Sequence, residues 1–122
     1  MPDPRDFLPL KPLDLQLLLA LTEEERHGYG LVQAVSDRTD GLITLEPGNL
    51  YRVVKRLLDD GLVAESARRE PPGAPDGDDQ RQRRRYYRIT ALGQRVLAAE
   101  LRRLDQLVRS QAARDLVQRW AT

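Results

Sequence analysis

Apolar positions along the chain fall into blocks separated by prolines, glycines and acidic clusters, and the spacing inside each block predicts an element. Pro2, Pro4 and Pro9 forbid a regular helix over residues 1–11 and predict an extended lead-in. Pro12 suits a first helical position, and the nearly continuous apolar run 13–21 predicts a first helix buried on most sides. Thr22 and Glu25 have the spacing of a capping box that would start the next element. Leu31, Val32 and Val35 against Gln33, Ser36 and Asp37 predict a second helix over about 27–38, ended by a left-handed turn at Gly41. The run Leu42, Ile43, Thr44, Leu45 then reads as a short strand.

A third helix is bounded by Pro47, which offers a start, and by Gly61 after Asp59 and Asp60, which offers a stop. At 100° per residue Leu50, Val54, Leu57 and Leu58 gather on one side, while Asn49, Arg52, Lys55 and Arg56 gather on the other. Asp59 and Asp60 oppose the helix dipole; they are available to pair with Lys55 or Arg56, or to hold the rear of the helix off phosphates. Residues 62–69 and 84–89 read as two strands joined by the Pro-, Gly- and Asp-rich segment 70–83, too long for a tight hairpin turn. Tyr86 and Tyr87 alternate across the second strand, so one should pack inward and the other outward. Thr90 caps a final helical region over about 91–119, with a bend near Ser110 left open.

The predicted fold is mainly α with a small β-ribbon: a winged helix-turn-helix over 12–90, a lead-in over 1–11 and a long C-terminal helix over 91–122. In that layout the third helix enters the major groove of double-stranded DNA. Its front carries an amide able to pair with adenine and arginines able to pair with guanine or grip phosphate. Gly48 beside Asn49 lets the backbone approach closely, and Tyr51 lies in the same opening turn. Arg83, Arg84 and Arg85, with Arg81 and Arg88, add a cationic ribbon; Asp76, Asp78 and Asp79 would keep the intervening tip away from the phosphates. A solvated, self-screened hairpin is the competing account of those charges.

Leu97, Leu101, Leu104 and Val108 recur at 4-3-4 spacing, widened by Val96 and Leu107. A second copy of the chain would cover this stripe, or the helix would fold back on the first helix, or both. Trp120 reads as a packing or interface anchor rather than a ligand clamp. A homodimer would set two reading helices about 34–36 Å apart, the spacing of an inverted-repeat operator.

Composition narrows the chemistry. At 122 residues the chain fits one domain, and charged residues make up 32% of it with a net charge of only +1, so the distribution of charge matters more than its sum. Without cysteine there is no disulfide, thiol nucleophile or thiolate metal site, and a cytoplasmic location is compatible. The run 13–21 is about half the length needed to span a bilayer, so no membrane role is expected. His27 is the lone histidine, and a structural role suits it better than general-base catalysis. The Asp76-Gly77-Asp78 segment lacks the later acidic ligands of a calcium loop, so no metal is expected; with no P-loop or dinucleotide fingerprint beside the lone histidine, no cofactor and no enzyme is expected either.

The ordered segments Leu17-Leu18-Leu19-Ala20-Leu21, His27-Gly28-Tyr29-Gly30, Pro47-Gly48-Asn49-Leu50-Tyr51, Lys55-Arg56-Leu57, Asp60-Gly61-Leu62-Val63, Arg85-Tyr86-Tyr87-Arg88-Ile89-Thr90 and Leu92-Gly93 resemble the PadR family of bacterial winged-helix regulators. The resemblance is to its short form with one C-terminal dimerisation helix. It implies a cytoplasmic homodimer that usually acts as a repressor, released in some members by a small-molecule effector. Asn49 departs from the threonine common there, and residues 101–107 lack the aromatic used by drug-binding members. A winged helix used only as a protein-interaction module, without DNA binding, is the rival reading.

Overall fold

The computed structural model describes residues 2–67 and 85–121. Among them the order is a short 3-10 helix (Pro4–Phe7), α1 (Pro12–Glu23), β1 (Arg26–His27), α2 (Gly28–Arg38), α3 (Pro47–Asp59), β2 (Val63–Glu65), β3 (Tyr86–Ile89), α4 (Ala91–Arg109) and α5 (Gln111–Arg119).

The apolar run places α1 at the centre, where Leu17, Leu18, Ala20 and Leu21 are buried and the helix packs on α2, α4 and β3. Leu31, Leu50, Leu57, Leu62 and Val96 complete the best-covered part of the core. Each such leucine contributes about 1.5–3 kcal/mol through burial. The α2–α3 connection is a tight helix end: the Gly41 N–H donates to the Ser36 carbonyl at 2.8 Å, with Asp40 and Gly41 at positive φ. Thr39 then accepts from the Ile43 N–H at 3.0 Å through its hydroxyl. That hydroxyl takes the hydrogen bond a ladder would need, so residues 42–45 form no strand, contrary to the sequence expectation.

The missing strand lies earlier. Arg26 and His27 form an edge strand opposite Tyr87 and Tyr86, and β3 is central in a three-stranded antiparallel sheet ordered β1-β3-β2 rather than a two-stranded ribbon. On its other side β3 pairs Ile89 with Val63, Arg88 with Ala64 and Tyr87 with Glu65. The added strand also changes the tyrosines. Tyr87 enters the core, and Tyr86 is buried too, its ring edge-on to His27 at 5.2 Å, so the expectation of one outward ring is corrected.

Caps explain the remaining boundaries. His27, not the Thr22–Glu25 box, starts α2: its Nδ1 accepts from the Gly30 N–H at 3.0 Å, while the Thr22 hydroxyl donates back to Leu19. At the end of α3 the Leu62 N–H donates to Leu57 O and the Gly61 N–H to Leu58 O, both at 3.0 Å, which satisfies two terminal carbonyls. Thr90 caps α4 by accepting from the Gly93 N–H at 2.9 Å. Ser110 ends α4 with extended backbone and then caps α5, accepting from the Ala113 N–H at 3.3 Å; the bend is real. The lead-in is not extended throughout, because Asp3 accepts from the Arg5 N–H and opens the 3-10 helix that lies on α4.

Candidate nucleic-acid interface

Helix α3 carries the candidate surface. Leu50, Val53, Val54 and Leu57 are its buried residues, and the helix packs on α2 and β2. Gly48, Asn49, Arg52 and Lys55 are exposed on the opposite side. Tyr51 is half-buried instead: a β-carbon on Gly28 would lie 2.7 Å from its hydroxyl oxygen, so its ring rests on the start of α2. That contact orients the first turn of α3 against α2. Lys55 pairs with Asp59 at 3.2 Å, one of the partnerships open to the terminal acids. Both side chains are well exposed, so the pair contributes little and frees the ammonium readily.

Arg56 is placed differently from its neighbours. Its Nη2 donates to both carboxylate oxygens of Asp14, at 2.6 and 2.7 Å, across 42 residues of sequence. Asp14 is only 7% exposed, on the first turn of α1. Removing Arg56 would strand a buried carboxylate. Arg56 therefore joins two helices as well as facing outward. In the sequence Asp14 is hidden in an apolar run, and its one signal is that an acid inside such a run needs a partner.

On the sheet, Arg85 and Arg88 are exposed, with Arg85 3.9 Å from Glu65 in a loose pair. Burial raises the Tyr87 phenol above its ordinary pKa, and the nearby Tyr51 phenol adds to the shift, while Arg85 opposes it. Arg83 and Arg84, with Arg68, Arg69, Arg81 and the loop over 70–83, lie outside the described residues. Among the described residues no group of three or more acidic or histidine side chains is arranged to hold a metal ion, and no helix is long and apolar enough to cross a membrane.

The C-terminal stripe divides. Leu97 is 4% exposed and belongs to the core with Val96, so its assignment to a dimer surface is corrected: the first turns of α4 spend that part of the stripe on their own domain. Leu101, Leu107 and Val108 are exposed, Leu104 is half-buried, and Leu116 and Val117 on α5 and Trp120 at its C-terminal cap are exposed as well. Glu100 is a buried residue that the sequence reading did not single out. Its oxygens accept from the Leu10 N–H at 2.7 Å and from Arg103 Nε at 2.5 Å, tying the lead-in to α4. The Arg103 hydrogen bond leads in holding its carboxyl below the usual value, desolvation opposing and the Leu10 N–H adding to it.

Three helices, a small three-stranded sheet and an amide-and-cation face on the third helix define a winged helix-turn-helix. The model of the PadR-like family of transcriptional regulators matches residues 17–99, and the chain belongs to that family, whose members are not enzymes. An uncharacterized protein of Lysinibacillus sphaericus is 33% identical over 87 residues, 70% of this chain and 72% of that one. A PadR-like transcriptional regulator from Bacillus cereus shares the fold with a TM-score of 0.66 at 21% identity, over 87% of this chain and 91% of that one. Bacillus subtilis PadR, solved in complex with operator DNA, is similar with a TM-score of 0.57 at 21% identity, over 83% of this chain and 49% of its own.

Proposed function

We propose that this regulator binds double-stranded DNA as a homodimer, setting one α3 from each copy into successive major grooves of an inverted-repeat operator. The observation that carries the reading is the face of α3, where Asn49, Arg52 and Lys55 stand exposed behind a fully apolar back. Arg52 makes no ion pair with any described residue, so its guanidinium needs no release before it meets a guanine or a phosphate. Arg85 and Arg88 on the sheet add cations that suit a neighbouring phosphate run. The operator complex of the Bacillus subtilis relative supports the same partner here.

The dimer reading is supported by Leu101, Leu107 and Val108, which leave an apolar strip in water once α4 has passed its own core. A second copy covers that strip and fixes the distance between reading helices. Repression is the direction of regulation that the family favours, by occupying a promoter, and a small-molecule effector would act by changing the spacing of the two copies.

The test is the affinity for a labelled duplex over a salt series. Salt-dependent binding, with a log–log slope of about −0.9 for each phosphate neutralised, is the expected result. Absence of salt-sensitive binding to any duplex would contradict the proposal and favour a protein-interaction module.

A further inference from the structure

We propose that Asp14 is a positioning residue for DNA contact, holding the Arg56 guanidinium so that its remaining donors meet a backbone phosphate at the flank of α3. The inference rests on the DNA-binding reading above, and adds which group reaches the phosphate and what aims it.

Three observations converge on this pair. Both Asp14 oxygens accept from the single nitrogen Nη2, at 2.6 and 2.7 Å, rather than from two nitrogens as in the two-bond fork that arginine–carboxylate pairs often form. Nε and Nη1 consequently donate to no protein acceptor among the described residues. The Arg56 side chain is also 40% exposed, although its partner is buried. Finally, Arg56 follows Arg52 by one helical turn and Asn49 by two, so its free donors flank the same outward face of α3.

Physical chemistry then assigns the roles. A flexible arginine on a surface loses side-chain freedom when it grips a phosphate, and that loss weakens binding. Asp14 removes the freedom in advance, because it is buried on another helix. α1 and α3 share α2 as a neighbour, and the ion pair ties the last turn of α3 to the first turn of α1. Asp14 touches no DNA on this account; it acts through Arg56.

Charge makes the test decisive. Removing an acid close to DNA would, by electrostatics alone, strengthen binding, whereas loss of positioning weakens it. Affinity for a fluorescein-labelled duplex is measured over a salt series for the wild type, Arg52→Ala, Asp14→Asn, Asp14→Ala and Arg56→Gln, each checked for folding by circular dichroism. Asp14→Asn and Asp14→Ala are expected to bind about threefold to tenfold more weakly despite the lost negative charge, and Arg56→Gln to reduce the log–log slope by about 0.9. Unchanged or tighter binding by the folded Asp14 variants, with Arg52→Ala weakened as expected, overturns this inference and leaves the DNA reading standing. An unchanged slope in Arg56→Gln overturns it as well, and decides alone if the Asp14 variants do not fold. Failure of the wild type to bind DNA in a salt-sensitive way overturns both.

Discussion

The carbonyl oxygen of Leu62 stands 2.1 Å from where a β-carbon on Gly93 would lie. Only hydrogen fits there, so α4 starts against the turn that ends α3. The same carbonyl accepts the Thr90 N–H at 3.0 Å, and the Thr90 hydroxyl donates to Gly61 O at 2.6 Å. Helix α3 and the helix offered for dimerisation are thus joined end to start. Gly93→Ala should lower stability by about 3 kcal/mol, because rigid backbone must shift to admit one methyl. Thr90→Ala, which loses a cap, should cost about 1 kcal/mol. Denaturant melts followed by circular dichroism check both; equal stability of Gly93→Ala and wild type would show that the turn can yield.

The split stripe on α4 predicts two phenotypes from similar residues. Leu97 is enclosed by the core, so Leu97→Ala should destabilise the fold by about 2–5 kcal/mol. Leu107 is 56% exposed, and Leu107→Glu should leave the melting of the domain nearly unchanged while shifting the dimer to monomer. Light scattering coupled to size exclusion reads the second effect. A dimer unaffected by Leu107→Glu would move the interface elsewhere.

Glu100 links stability to pH. Its carboxyl is held below the ordinary value of 4.5, chiefly by the Arg103 hydrogen bond, so the folded state binds that proton less readily than the unfolded chain. The stabilisation is present above the unfolded pKa and is lost as pH falls through the lowered folded pKa. Stability should therefore drop on acidification below about pH 4.5, and Glu100→Gln should flatten that part of the profile. The residue is 1% exposed and receives the Leu10 N–H, so Glu100→Ala should cost about 1–3 kcal/mol at neutral pH by leaving that donor unpaired. A profile for Glu100→Gln that matches wild type would place the acid sensitivity in other carboxylates.

Arg52 and Asn49 separate affinity from fold. Both are exposed, so alanine at either should leave melting within about 0.5 kcal/mol of wild type. Each replacement should weaken binding to a specific site by about 1–3 kcal/mol if the side chain reads a base. Comparing specific with random duplex distinguishes the two contacts: a base reader loses discrimination, and a phosphate contact loses affinity for both alike.

Much of this layout was legible because it rests on local signals. Pro12 and Pro47 open helices, Gly61 closes one, Thr90 caps another, and the apolar spacing in α3 gives its buried side directly. What escaped depends on distant partners. Arg26 and His27 become a strand only because Tyr86 and Tyr87 arrive beside them, and no apolar alternation in a two-residue segment announces that. Leu97 and Leu107 belong to one periodic stripe, and periodicity alone does not say where the domain stops covering it. The Asp14–Arg56 pair was hidden for the same reason: each residue fits its own helix pattern, and only the packing of both helices on α2 brings them within reach.

The central claim is that α3 reads DNA from a two-fold dimer. Footprinting of purified protein on the region upstream of its own gene tests it most directly. The account predicts two protected half-sites related by inversion, with centres about one turn or 10 bp apart, and loss of both when Arg52→Ala replaces the wild type. An unprotected region, together with equal and salt-insensitive behaviour of wild type and Arg52→Ala on every duplex tried, would contradict it.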